Sequence, residues 1–130
     1  MKLLTKEQRE MLLANGREQA KVKGTKAEKD FWPVVKLFYP AGPATWLLSE
    51  LDPEDNDVAV GLADMGMGFP EFGTVLISEL ESFEGIGGLG IERDKFFEAR
   101  GPISRYIDAA HEAGCIVEDI EPSVTPSAKE

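Results

Sequence analysis

The sequence predicts an α+β domain in which an antiparallel meander of four to five strands packs against an N-terminal helix and a C-terminal helix. Apolar residues recur with a helical period near both ends of the chain, whereas the middle contains short segments rich in β-branched and apolar residues. Only a few residues join these middle segments, which leaves no room for the crossover helices of a parallel sheet. The sheet is therefore expected to be antiparallel.

The first helix is predicted from its boundary residues. Thr5 and Gln8 have the spacing of a capping box, and Asn15 followed by Gly16 supplies a left-handed stop. We therefore expect a helix over residues 5–14, followed by a second helical segment over residues 17–22. The residues expected to face inward are Met11 and Leu12.

Four strands and a fifth are predicted between the turn signals of the central region. They are Val34–Tyr39, Thr45–Leu51, Val58–Asp64, Phe72–Ile77 and Ile91–Phe97, with a short edge strand expected over 115–117. One face of the third strand carries only Ala59, Gly61 and Ala63, a shallow strip on which a helix or an aromatic side chain would pack closely.

Two more helices are predicted after the fourth strand. Ser78 and Glu81 form a second capping box, which predicts a short helix that ends near Phe83. Gly101 and Pro102 precede a longer helix that stops at Gly114. Its inward stripe is Ile103, Tyr106, Ile107 and Ala110.

Composition divides the chain into three parts. Residues 1–30 form a basic helical arm of net charge +3, residues 31–117 a single α+β body, and residues 118–130 an acidic flexible tail. A single Cys115 forbids an internal disulfide. The sequence shows no export signal and no apolar run of about 18 residues, so we expect a cytoplasmic protein with no membrane partner.

The central body is strongly acidic. The 56 residues between Lys36 and Arg93 contain no Lys or Arg but eleven Asp or Glu, and the whole chain has a net charge of −10. A solvated face explains such a stretch, and so does a surface for a cation or a basic partner, because the residue types alone do not separate these interpretations.

A glycine-rich loop between the third and fourth strands is more apolar than loops usually are. It is a candidate partner-binding surface whose residues are Met65, Met67, Phe69, Pro70 and Phe72. In the alternative interpretation the loop folds back, so that Met65, Phe69 and Phe72 cover the open end of the core.

The central carboxylates suggest a second class of function, a metal-dependent enzyme acting on phosphate esters. Glu50, Asp64 and Glu71 lie at strand ends and would provide an all-oxygen site for magnesium or manganese, while Lys36 would steady a substrate anion. The run from Asp52 to Asp57 resembles a calcium loop only superficially, since Pro53 interrupts the ligand spacing.

Other catalytic and cofactor patterns fail in the sequence. His111 and Cys115 are separated by a helix terminator, so their alignment as a catalytic pair is not expected, and the cysteine is expected to be buried. Gly85, Gly87 and Gly90 match the dinucleotide pattern, but a helix precedes them and a strand follows, which reverses the required order. No cofactor is predicted.

The basic arm suggests a third function, nucleic-acid binding. Its lysines are Lys21, Lys23, Lys26 and Lys29. They lack the interleaved aromatic residues of a stacking surface, and the acidic body would repel phosphate. Direct nucleic-acid binding is therefore not the favoured interpretation.

Several motifs resemble a small bacterial family known only as a domain of unknown function. They are the segments 32–38, 45–53 and above all 64–71 (Asp-Met-Gly-Met-Gly-Phe-Pro-Glu), supported by residues 3–5, 78–80 and 92–94. The resemblance covers about residues 1–106. It implies a bacterial protein encoded on plasmids and integrative elements beside transfer and DNA-handling genes, and it implies no reaction.

Together these observations favour a noncatalytic interaction module, an accessory protein of a mobile element. It would present its acidic surface and its glycine-rich loop to an unidentified protein partner that is basic or binds DNA. One version of this hypothesis is interference with a DNA-binding protein by mimicry of phosphate.

Overall fold

The computed structural model, which describes residues 2–123, contains one mixed unit of three α-helices and five strands. In chain order these are α1 (Lys6–Val22), β1 (Val35–Phe38), β2 (Thr45–Asp52), β3 (Asp55–Asp64), β4 (Glu71–Leu76), α2 (Ile77–Ser82), β5 (Glu92–Arg93) and α3 (Ile103–Ala113). The strands form a single antiparallel sheet in the order β4-β3-β2-β1-β5. The predicted α+β class, the meander and the two flanking helices are confirmed.

Apolar side chains cover both faces of the sheet. On one face, Leu12 of α1 and Ile77 of α2 join the inward side chains of β1 and β2, including Leu48 and Leu51. On the other face, α3 packs on Leu47 and Leu62, and the hydroxyl of its buried Tyr106 accepts a hydrogen bond from the Arg100 amide at 2.8 Å. The sheet is the middle layer between helices.

α1 is longer than the sequence predicts, because it continues through Asn15 and Gly16 to Val22. The reason is tertiary. The Asn15 side chain donates to the Ser49 carbonyl at 2.9 Å, and Gly16 is buried where a Cβ would lie 1.8 Å from the Leu51 carbonyl oxygen. Glycine here permits close approach of helix and sheet instead of ending the helix. The prediction for Met11 is also wrong, since its side chain is 55% exposed.

α2 begins differently from the prediction. Ser78 does not cap α2, because Leu76 occupies the cap position without a side-chain bond. Both the amide and the hydroxyl of Ser78 donate to Asp57 instead, the amide at 2.8 Å. A carboxylate from β3 therefore accepts a hydrogen bond from a backbone amide in the first turn of the helix, as a capping side chain would.

The later strands are shorter than expected. β5 contains only Glu92 and Arg93, which pair with Phe38 and Leu37 of β1. Residues 115–117 form no strand, because the Ile116 amide donates to the Asp64 carboxylate and not to a backbone partner. α3, by contrast, covers Ile103–Ala113 and ends at Gly114 with φ 79°, as the pattern predicts.

The segments assigned to an arm and a tail both contact the body. α1 packs on β2, and the Asp30 carboxylate accepts from the Ser104 amide at 3.0 Å in the first turn of α3. At the other end, Ile120 is buried in the α3 cluster and the Ser123 amide donates to the Arg100 carbonyl at 2.7 Å. The rest of the predicted tail, residues 124–130, lies outside the described residues.

Candidate functional site

The loop between β3 and β4, residues 65–70 and called here the glycine loop, is anchored at its base by one carboxylate. Asp64 is buried, and its two oxygens accept hydrogen bonds from the amides of Gly66 and Ile116, each at 2.8 Å. Gly66 and Gly68 have φ of 81° and 86°, a conformation that side-chain-bearing residues rarely adopt. The base of the glycine loop is thereby tied to the segment that follows α3.

The side chains of the glycine loop point into solvent. Met65 is 52% exposed, Met67 76%, Phe69 80% and the following Phe72 45%, whereas Pro70 is buried. The alternative in which Met65, Phe69 and Phe72 cover the core is wrong, because all three side chains are exposed. Three large apolar side chains therefore stand on one anchored loop, and a fourth, Phe72, follows it in β4.

The three carboxylates considered for a metal site do not converge. Asp64 pairs with Thr45 and Glu71 with Ala63 at one end of β3, but Glu50 pairs with Val60, four residues back along that strand. Four residues of strand span roughly 13 Å, much more than two ligand distances of about 2.0–2.6 Å to one ion. Within residues 2–123, no three His, Cys, Asp or Glu side chains are grouped so as to hold a metal ion.

Glu50 has a structural environment of its own. Its half-buried position raises the pKa of the carboxyl group, and the hydrogen bond that it accepts from the Gln19 side chain at 3.2 Å offsets part of this effect. Gln19 also brackets Lys29, accepting from its amide and donating to its carbonyl, both at 2.8 Å. These contacts join α1 to the sheet.

Lys36, considered as a substrate anchor, is paired with carboxylates. Its ammonium lies 3.3 Å from Asp94 and also bonds Glu118. Burial by itself lowers the pKa of Lys36, but these two carboxylates raise it above the ordinary value. The residue ties β1 to the segment that follows α3.

His111 and Cys115 are both exposed, so the expected burial of the cysteine is wrong. Among the hydrogen bonds of the described residues, none joins these two side chains. The glycines at 85–90 follow α2 and precede β5, and the Tyr39 hydroxyl accepts from the Ile86 amide at 3.1 Å. This geometry is that of a hydrogen-bonded turn.

The lysines of the basic arm lie beside acidic groups. Lys21 and Lys29 lie 3.6 and 3.8 Å from the Glu18 carboxylate, and Lys23 lies near enough to Glu50 to act on its pKa. These exposed pairs are weak, yet they reduce the positive field of the arm.

The structure also has two apolar depressions that the sequence reasoning did not place. The larger is a groove of about 690 Å³ between α1 and residues 29–34, lined by Met11, Phe31, Trp32, Pro33 and Val34. The smaller, called here the notch, has about 240 Å³ and lies on the sheet beside Trp46. The shallow strip noted on β3 was the available signal for the notch, but its depth depends on Gly73 of β4, whose register the sequence did not specify.

Fold and site together define a small α+β protein with an exposed apolar loop on an acidic sheet, without a converged set of catalytic groups in the described residues. None of the helices in that part of the chain combines the length and apolar content needed to cross a bilayer.

The chain belongs to the family described as "Protein of unknown function (DUF2958)", whose model matches residues 3–117. The match includes the strands, the glycine loop and α3, and it extends past the region that the sequence motifs covered. No curated protein and no solved structure matches the chain significantly.

Proposed function

We propose that this protein is a noncatalytic interaction module that presents the glycine loop to a partner protein. The observation that carries the proposal is the exposure of Met65, Met67 and Phe69 on a loop whose base is fixed by Asp64. The exposed Phe72 of β4 lies directly after this loop. Exposed apolar clusters on small proteins mark contact surfaces, and methionine adapts to irregular partners. A fixed base lowers the entropy that such a loop loses on binding.

Charge supports a basic partner. The 56 residues between Lys36 and Arg93, which include β2, β3 and β4, contain eleven Asp or Glu and no Lys or Arg. Such a field speeds the encounter with a basic protein and repels an acidic one. In the mobile-element setting that the motifs imply, a basic DNA-handling protein is a partner of this kind.

The phosphate-ester alternative has less support. Glu50 is separated from Asp64 and Glu71 along the sheet, and Lys36 is held by Asp94 and Glu118. Nucleic-acid binding by the arm has less support as well, because Glu18 lies beside two of its lysines.

The test is affinity capture from the host extract with wild type and a Met67→Ser, Phe69→Ser double variant. The matched control is an Ile86→Ser, Phe96→Ser variant, because these two side chains are 84% and 91% exposed but lie outside the loop. We expect the loop variant to lose the partner and the control variant to retain it. Retention by the loop variant would contradict the proposal.

Salt dependence tests the electrostatic part separately. Raising ionic strength from about 0.05 to about 0.3 M shortens the Debye length to below about 8 Å. We expect the association rate of the purified pair to fall severalfold, while the dissociation rate changes little. An association rate independent of salt would show that the acidic surface plays no part.

A further inference from the structure

β4 is an edge strand without the usual protection of an edge. It is last in the sheet order, its pairing with β3 runs without a bulge from Glu71 to Leu76, and five of its six residues are exposed. It contains no Lys, Arg or Pro. In the described part of the chain, the turn and loop hydrogen bonds include none to the outer side of β4. Natural proteins commonly block such edges, since the free N–H and C=O groups accept another strand.

The notch lies directly beside this edge and results from a pair of glycines. Gly61 of β3 and Gly73 of β4 are opposite each other, on the face that also carries Ala63 and Val75. Because neither glycine projects a side chain, the sheet is hollow there, and Trp46 forms part of the wall.

The two glycines have different causes. A Cβ on Gly61 would lie 2.1 Å from the Leu47 carbonyl oxygen, so the pairing of β2 with β3 requires glycine at position 61. A Cβ on Gly73 would meet nothing within 4 Å, and the φ of Gly73 is not positive. The fold therefore does not need glycine at position 73. A glycine inside a strand often marks the close approach of a ligand or of another backbone.

We propose that β4 receives an extended, basic segment of a partner protein as a sixth strand, and that this segment places one large apolar side chain in the notch. The inference rests on the proposed function, since it specifies how a partner binds next to the glycine loop. A row of unpaired backbone groups fits only an extended chain. A second copy of this protein is disfavoured because each chain has a net charge of −10.

The register of β4 specifies the chemistry of the added segment. Side chains opposite Gly73 and Val75 lie on the notch face and would be apolar, the first of them large. The side chain opposite Glu71 would be Lys or Arg, because opposite charges across a strand pair are favourable. Residues opposite Phe72 and Thr74 lie on the other face, where β-branched side chains fit.

The binding test uses a blocked synthetic peptide as the probe. Its central residues are Val, Thr, Phe, Val and Lys, which match an antiparallel partner from Val75 back to Glu71, with a further Lys at each end for solubility. Two-dimensional NMR of the full-length labelled protein should show amide shifts along β4 and a shift of the Trp46 indole. A peptide N-methylated at Phe and at the next Val keeps its side chains but loses backbone donors, so we expect at least tenfold weaker binding. Equal binding by the methylated peptide would overturn strand addition.

Gly73→Val is the matching change in the protein. A Cβ at position 73 meets no other atom within 4 Å, so a valine side chain should enter the notch without a backbone clash. The variant should therefore melt no lower than wild type, while peptide affinity falls at least tenfold. Thr74→Val is the control, because its side chain lies on the opposite face of the same strand and should leave the affinity within about twofold. Full affinity in Gly73→Val would overturn the assignment of the notch.

The remaining outcomes separate this inference from the proposed function. Shifts confined to residues 65–70, or no shifts at all, overturn strand addition. If a captured partner is lost by the Met67→Ser, Phe69→Ser variant and kept by Gly73→Val, the loop function stands and strand addition is wrong. A dimer seen by light scattering and abolished by Gly73→Val would assign the edge to a second copy and overturn the partner proposed here.

Discussion

Replacing Gly16 by alanine tests the contact between α1 and the sheet. In an exposed helix interior this change stabilises by about 1 kcal/mol, because alanine has the higher helix propensity. Here the new Cβ would lie 1.8 Å from the Leu51 carbonyl oxygen, more than an ångström inside the 3.0 Å limit of real contacts. The Cβ is attached directly to the backbone of α1, and the oxygen belongs to the backbone of β2, so neither can rotate away and α1 must move away from β2. Overpacking of this kind costs about 1–3 kcal/mol beyond the propensity gain, and we expect a net loss of about 2 kcal/mol.

The assay is urea denaturation of the full chain followed by circular dichroism, together with thermal melting. A loss of about 2 kcal/mol corresponds to a melting temperature lower by roughly 6–10 °C for a chain of this size. Gly73→Ala is the matched control, because its Cβ meets nothing within 4 Å and the change should stabilise by up to about 1 kcal/mol. If Gly16→Ala were as stable as wild type, the reasoning about this close approach would be refuted.

Three further predictions concern the site and its supports. Asp64→Asn should destabilise by roughly 1.5–3 kcal/mol in urea titrations, because the buried carboxylate accepts two backbone N–H groups and the amide replaces one acceptor with a donor; an unchanged midpoint would contradict this anchoring role. Glu50→Gln should raise the melting temperature at pH 7. Burial raises the pKa of Glu50 in the folded state, so stability is lost as the carboxyl group ionises with pH rising through that pKa. The stability gained by the substitution should therefore vanish below the ordinary pKa of 4.5. A gain that persists at pH 3 would point to another cause. Met67→Ser with Phe69→Ser should leave the free energy of unfolding within about 0.5 kcal/mol, since both side chains are mostly exposed, and a larger loss would mean that the loop supports the core.

The strands were predictable because their signal is local. Turn residues bracket each of the first four strands, and the apolar pattern between them specifies a sheet whatever its neighbours do. α3 was predictable for the same reason, from one apolar stripe and the stop at Gly114. The end of α1 was not, because Gly16 has two opposite uses. Glycine commonly follows the end of a helix, and only the position of Leu51 shows that Gly16 instead allows α1 to approach β2 closely.

The candidate site was predictable in composition but not in position. The apolar loop was identified from its residues, yet its base is held by a bond from the Ile116 amide to Asp64, and Ile116 lies 52 positions later in the chain. The notch depends on the register that places Gly61 against Gly73. Glu50 was grouped with Asp64 and Glu71 because all three are acidic residues near predicted strand ends. A shared residue type at strand ends does not specify how far apart the side chains lie.

The hydrogen bond that the Asp30 carboxylate accepts from Ser104 in α3 spans 74 positions, and the bond that Arg93 donates to the Leu3 carbonyl spans 90. Closing loops of that length costs conformational entropy before the stabilising contacts form. Folding should therefore be slow compared with a helical bundle of similar size. Neither half of the chain contains all the contacts that stabilise it, since the hydrogen-bond acceptor for the first turn of α3 is Asp30. The protein should therefore unfold in one cooperative transition, and a fragment that lacks residues 1–30 should not refold as a smaller version of the same domain.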